Sequence, residues 1–202
     1  MKRKYLYLCT FLFLPLGLSG CTNVFQTESQ SNLYQIQLAI YRPLCVDVSN
    51  NGTTSGSLLQ SKPCATGDLS QQWGLKSMSS DGGSSTGQSA TTGSFLFINA
   101  NSLMCMSVAD DPDTAPGQHI VLEPCTMDGS DPTQIWTVAT APAGEAGSQI
   151  ISSASSQCLD LPYGAAAAEF DMQQYYCTPT DPAQGWVLQS VPAETLSTST
   201  GQ

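Results

Sequence analysis

The side chains able to do chemistry in this 202-residue chain are few and regularly spaced. Six of the eight cysteines, Cys45, Cys64, Cys105, Cys125, Cys158 and Cys177, follow one another in pairs 19, 20 and 19 positions apart. Eight cysteines in a chain of this size point to an oxidising compartment, where thiols are spent on disulfides. The connectivity of six cysteines is open from sequence alone, but the equal intervals point to three copies of one unit, each closed by its own bridge. A loop of that length contributes about 3 kcal/mol per bridge. The other chemistries are thin. With His119 as the single histidine, a His-rich metal site and most Ser-His pairings are excluded. Asp110, Asp111 and Asp113 could touch Ca²⁺ but lack the glycine and distal glutamate of an EF-hand loop, and read as a solvated turn. No activated nucleophile or metal cluster stands out, so the expectation is a protein that is not an enzyme and carries no cofactor.

The tryptophans keep the same beat as the cysteines. Trp73, Trp136 and Trp186 lie 9, 11 and 9 residues after the second cysteine of each pair, and each closes a Q-x-W triplet headed by Gln71, Gln134 or Gln184. A repeat of this kind decides the architecture. Within each unit, short apolar runs alternate with Gly, Ser, Pro and Asn. The first spans Tyr34–Val48, Phe95–Val108 and Ile150–Leu161, each broken by a turn. The second sits at Leu58-Leu59, Ile120–Leu122 and Gln174–Tyr176. The third starts at each tryptophan. Short strands with frequent turn signals indicate a sandwich or a barrel. A turn is expected at Ala165–Ala168, and a long loop over Ser79–Ser94.

Charge narrows the partners. Lys+Arg number 6 and Asp+Glu 16, a net charge of −10, with only 11% charged residues. This balance excludes nucleic acid, since phosphate contacts need clustered Lys and Arg. Half of the basic residues, Lys2, Arg3 and Lys4, precede an apolar run from Tyr5 to Leu18, the pattern of an export signal too short for a comfortable membrane span. The run ends in Leu18-Ser19-Gly20-Cys21, which resembles a bacterial lipobox. The resemblance implies a signal peptide over 1–20, cleavage before Cys21 and acylation of Cys21. Thr22 in place of Asp then leans towards the outer membrane. Two or more acyl chains anchor stably where one does not. Residues 21–31 read as a polar tether and 191–202 as a frayed tail.

Taken together, C-V-D-V…C…Q-Q-W, C-M-S-V…C…Q-I-W and C-L-D-L…C…Q-G-W resemble ricin B-type lectin repeats over residues 32–190. The resemblance implies an all-β fold, the β-trefoil, with three pseudo-repeats each closed by a disulfide. It implies that Trp73, Trp136 and Trp186 pack in the core and that the Q-x-W glutamines are structural first. It also implies where a sugar would bind. A carboxylate two residues after the first cysteine accepts charge-assisted bonds from neighbouring hydroxyls. An aromatic ring two residues before the second cysteine stacks on the apolar face of the sugar. A Gln precedes that ring by two positions, and an Asn often precedes the Q-x-W.

The third repeat keeps Asp160, Gln173, Tyr175 and Gln184 but has Ala183 at the Asn position. The first keeps Asp47 and Gln60 but has Lys62 for the ring and Ser70 for the Asn. The second has Ser107, Glu123 and Thr133 and reads as a dead site. An alternative has Asp160 capping a turn near Cys158 and Tyr175 as an ordinary strand residue. The expected function is a lipid-anchored, non-catalytic binder of a glycan, either a galactose-type sugar or a surface polysaccharide. The layout also resembles the binding subunits of cytolethal distending toxins, which implies instead a protein partner in a toxin or adhesin complex.

Overall fold

A computed structural model describes residues 32–40, 44–78, 93–109, 115–140, 147–162 and 168–192. The signal peptide, Cys21, the tether, the Asp110–Asp113 turn, residues 165–167 and the tail beyond 192 lie outside the described residues. So does most of the long loop.

Twelve strands follow in order: β1 (Leu33–Leu38), β2 (Leu44–Val48), β3 (Leu59–Pro63), β4 (Trp73–Ser77), β5 (Gly93–Asn99), β6 (Cys105–Val108), β7 (Ile120–Glu123), β8 (Trp136–Thr140), β9 (Ser148–Ser152), β10 (Cys158–Asp160), β11 (Gln173–Tyr175) and β12 (Trp186–Val191). Each repeat contributes four. Their shortness follows from the punctuation by Gly, Pro, Asn and Asp, whose turn chemistry ends a strand every few residues. Two edges differ from the sequence reading. Ser94 lies in β5, where it pairs with Thr137, and β12 runs on to Val191, which pairs with Leu33. Both extensions come from partners far away in sequence.

Strands β1, β4, β5, β8, β9 and β12 pair antiparallel in a closed ring. Closure removes the exposed edges that an open sheet would present. The ring passes close at Gly147, whose φ is +83° and where an added Cβ would lie 2.8 Å from the Trp186 backbone. Only glycine suits that approach. The hairpins β2–β3, β6–β7 and β10–β11 lie off the ring and are sewn to one another by three bridges: Leu58 to Val121, His119 to Gln173 and Asp171 to Gln60. In each bridge one residue comes from just before a hairpin's second strand and its partner from inside the next hairpin, so the set repeats threefold. This is the β-trefoil that the resemblance implied.

The disulfides are Cys45–Cys64, Cys105–Cys125 and Cys158–Cys177. Each ties the first strand of a hairpin to the residue just beyond, or two beyond, the second strand. One core buries Trp73, Trp136 and Trp186 together with Ile36, Leu59, Phe97, Met106, Ile120, Leu122 and Ile150 from both the ring and the hairpins. Each indole N–H donates to the carbonyl of the residue after the first cysteine: Trp73 to Val46 at 3.4 Å, Trp136 to Met106 at 3.0 Å and Trp186 to Leu159 at 2.9 Å. A buried indole needs such a partner, and the cysteine-bearing strand supplies it each time.

Candidate functional site

The same device positions a candidate site in every repeat. Ahead of each tryptophan stands a three-residue 3₁₀ turn, capped by Asp68, Asp131 or Asp181, whose carboxylate accepts from the N–H of Ser70, Thr133 or Ala183. An aspartate cap satisfies one of the free N–H groups at the start of a helical turn. The signal was present in the sequence as Asp-Pro before Thr133 and Ala183, since proline suits the first helical position, but the cysteine and Q-x-W pattern does not draw attention to it. The turn aims the triplet glutamine at the second cysteine. Gln71, Gln134 and Gln184 each accept at 2.8 Å from the backbone N–H just after that cysteine. Each also donates to the carbonyl just before it, on Pro63, Pro124 and Tyr176. The glutamines therefore strap the hairpin to the ring, which gives them the structural role expected.

In the third repeat the four residues of interest come together. Asp160 pairs with Gln173 across β10–β11, and Cys158 pairs with Tyr175. Residues opposed in register share a sheet face, and positions two apart on a strand do too. Asp160, Gln173 and Tyr175 thus share one face, while Gln174 is buried on the other. Gln173 Nε2 donates to Asp160 Oδ2 at 2.6 Å, and Gln184 Nε2 donates to Asp160 Oδ1 at 3.1 Å. Asp160 is 4% exposed and is held by these two amides, while the capping is done by Asp181. An ionised carboxylate has about four lone-pair sites, so two bonds leave room for two more from a ligand.

Burial pushes the Asp160 carboxyl above its ordinary 3.8, the bonds from Gln173 and Gln184 pull it back, and the charge of Asp181 adds to the rise. Tyr175 is 44% exposed and Tyr176 61%, with ring centroids 5.5 Å apart and planes at 68°. Tyr175 therefore offers a ring to solvent beside a buried, amide-bound carboxylate.

The first repeat keeps the framework and closes it. Asp47 faces Gln60 in register, as Asp160 faces Gln173. Asp47 is fully buried; its Oδ1 accepts from Ser70 Oγ at 2.6 Å, and its Oδ2 lies 3.1 Å from Lys62 Nζ. Ser70, at the position where an Asn was expected, has taken over as the partner of the carboxylate. The Asp47–Gln60 pair is present, with Lys62 at the position where the ring was expected.

In the second repeat the carboxylate is missing from the first strand. Ser107 Oγ instead meets Thr133 Oγ1 at 3.0 Å, and Thr133 Oγ1 donates to Asp131 at 2.6 Å. Glu123 at the ring position accepts from Ser55 Oγ of the first repeat. A cleft of about 220 Å³ remains there, lined by Ser107, Glu123, Asp131, Thr133 and Gln134 among others. Among the described residues its lining offers hydroxyls and two acids but no aromatic ring to stack on a sugar. No group of three or more His, Cys, Asp or Glu among the described residues is placed to hold a metal ion.

A family model described as a ricin-type β-trefoil lectin domain-like domain matches residues 23–122 and 84–175. No curated protein matches the sequence. Solved structures share the fold. An exo-β-1,3-galactanase from Clostridium thermocellum superposes with a TM-score of 0.65 at 18% identity, over 81% of this chain. The present chain spans about a third of that enzyme, 31%. The C-half of an earthworm R-type lectin in complex with GalNAc gives a TM-score of 0.53 at 13% identity, over 79% of this chain and 98% of that one. A chain of the Haemophilus ducreyi cytolethal distending toxin gives 0.58 at 14% identity, over 90% and 97% respectively.

Proposed function

This chain belongs to the ricin-type β-trefoil lectin-like family, and from that premise we propose that it is a non-catalytic carbohydrate-binding protein whose third repeat takes the ligand. The observation that carries the reading is the buried carboxylate of Asp160, oriented by Gln173 and Gln184 next to the exposed ring of Tyr175. Two ligand hydroxyls would meet the remaining lone pairs of Asp160, and the apolar C–H face of the sugar would lie on Tyr175. A galactose-type sugar suits this reading, in line with the GalNAc held by the earthworm lectin. With one carboxylate, one ring and no Asn at Ala183, affinity is expected near the millimolar range, about −4 kcal/mol. The lipobox-like segment ending at Cys21 supports an export route to the cell envelope, the outer membrane in a Gram-negative cell, with lipid anchoring. Many anchored copies on one surface would raise the effective affinity.

A glycan array probed with the purified chain, displayed multivalently, tests the reading. Wild type is expected to bind galactose-terminated glycans, and Asp160→Ala to lose at least tenfold of that signal. Binding that survives the substitution would sink the third-repeat assignment.

The same carboxylate predicts a pH dependence. Because Asp160 is shifted upward, it takes its proton at a higher pH than an ordinary aspartate and loses its charge-assisted bonds there. Binding is therefore expected to fade on acidification at a pH above the ordinary aspartate value of 3.8. The stability sign is opposite. A raised acid pKa means that the folded state binds more protons, so this group's contribution to stability rises as pH falls through the shifted pKa. Circular dichroism should accordingly show a folded chain where binding has gone. Binding that holds until the ordinary value of 3.8 would contradict the assignment.

A second reading has one observation behind it. The toxin chain and this one cover each other almost end to end, 90% and 97%. A trefoil with two altered sugar positions would also suit an accessory subunit that contacts protein. A neighbouring gene for a nuclease-like catalytic subunit, together with a silent glycan array, would favour it.

A further inference from the structure

We infer that Lys62 is an internal ligand of the first repeat: its ammonium stands on Asp47 where a sugar hydroxyl would stand, and it keeps this repeat from binding carbohydrate. The inference rests on the lectin reading above and extends it to a site that the fold builds and then closes.

The two sites superpose by register. Asp47 faces Gln60 as Asp160 faces Gln173, and Lys62 faces Cys45 as Tyr175 faces Cys158. What differs is the outer oxygen of the carboxylate. Asp160 Oδ2 accepts from a glutamine amide at 2.6 Å. Asp47 Oδ2 is buried and has no hydrogen-bond partner apart from the Lys62 ammonium 3.1 Å away. Without the lysine, a fully buried carboxylate oxygen would face the site unpaired, which is costly for the protein and attractive to a donor from a ligand. The Lys62 side chain is 36% exposed while Asp47 is fully buried, so the lysine approaches the carboxylate from the solvent side.

Other carboxylates lie near enough to act on the charge of Lys62. The Lys62 ammonium is raised above its ordinary 10.5 by the hydrogen bond and charge of Asp47, against the effect of burial, with Asp68 and Glu169 adding to the rise. It therefore stays charged throughout the physiological range. Glu169 reaches this neighbourhood from the third repeat by an unusual route. Its backbone N–H donates to Ser61, as Gly56 donates to Leu122 and Gly117 to Gln174. These three positions are equivalent, and all have left-handed φ: +81° at Gly56, +89° at Gly117 and +70° at Glu169. Two copies use glycine, which adopts that conformation freely, and the copy beside Lys62 carries a glutamate instead. A side chain kept in a sparsely populated conformation is a mark of a constrained local role. Against a tethered ammonium, whose effective concentration is in the millimolar range or above, a free sugar of roughly millimolar affinity competes poorly. The ammonium also makes the stronger, charge-assisted bond.

The test uses the full chain and a broad glycan array. Wild type, Asp160→Ala, Lys62→Tyr and the Asp160→Ala/Lys62→Tyr double variant are compared, each checked for folding by near-ultraviolet circular dichroism. The double variant is expected to recover at least tenfold of the signal lost in Asp160→Ala, now from the first repeat. Lys62→Tyr alone is expected to bind two sugars per chain. If the tyrosine variant fails to fold, Lys62→Gln removes the charge at similar length and is expected to give a smaller gain of the same sign. A folded double variant that stays silent while wild type binds overturns the inference and leaves the third-repeat reading intact. Silence of both wild type and Lys62→Tyr overturns both. Binding by Lys62→Tyr without binding by wild type supports the plug and overturns the third-repeat reading.

Discussion

Reduction of the three disulfides is expected to unfold the domain under conditions where the oxidised chain is fully native. Each bridge closes a loop with a separation of 19 or 20 residues, which corresponds to about 3 kcal/mol of lost chain entropy in the unfolded state. Three such terms approach the roughly 5–15 kcal/mol that holds an ordinary domain together. Local contacts offer little to replace them, since the strands are only three to seven residues long. Loss of near-ultraviolet circular dichroism on reduction and alkylation is the readout, and a native spectrum after complete alkylation would contradict the prediction. Removing the bridges one at a time as Cys→Ala pairs should give three similar losses, because the loops are nearly equal. A single dominant bridge would show that the repeats are not energetically equivalent.

Trp136→Ala is the second large effect. The indole is fully buried among the residues of the core, and its N–H donates to Met106 at 3.0 Å. Truncation removes a large apolar area, leaves a cavity and orphans a buried carbonyl. A loss of about 3–5 kcal/mol follows from comparable aromatic truncations, or roughly 10 °C in Tm for a domain of this size. Trp136→Phe keeps most of the area and loses the hydrogen bond, so about 1–2 kcal/mol is expected from the unsatisfied carbonyl and the small void. Urea unfolding with an unchanged slope would confirm a native-state effect. Trp136 belongs to the second repeat, one of the two without a complete sugar position, so a folded variant should keep its binding. A near-neutral Trp136→Ala would contradict the placement of this ring in a shared core.

Much of the fold could be read from residue types because a threefold repeat writes each rule three times. The cysteine intervals and the Q-x-W triplets placed the hairpins, the bridges and the core tryptophans, since these depend on contacts within one repeat. Asp160, Gln173, Tyr175 and Gln184 were legible for the same reason. They sit on one hairpin and on the turn that straps it.

The parts that could not be read depend on neighbours from other repeats or on which atom wins a shared position. Lys62 was recognisable as the wrong residue for stacking, but its ion pair with Asp47 is a matter of reach and burial. Ser70 replaces an expected amide as the partner of Asp47 because its hydroxyl lies on the capped turn within 2.6 Å. Glu169 comes to the first repeat from the third through a bridge between hairpins more than a hundred residues apart, as the Phe170 and Ser61 backbone contact shows. Ser94 and Val191 join strands through pairing with Thr137 and Leu33, where local composition alone reads as loop and tail.

The central claim is that the carboxylate–amide cluster of the third repeat touches the ligand. Side-chain amide resonances test it most directly. In a titration with the sugar selected by the array, the NH₂ signals of Gln173 and Gln184 should move in a saturable way with a midpoint at about millimolar concentration. Gln71 and Gln134, which make the same strap in the other two repeats, should stay still. Equal movement of all three strap glutamines, or saturable shifts confined to residues away from Asp160 and Tyr175, would contradict the account.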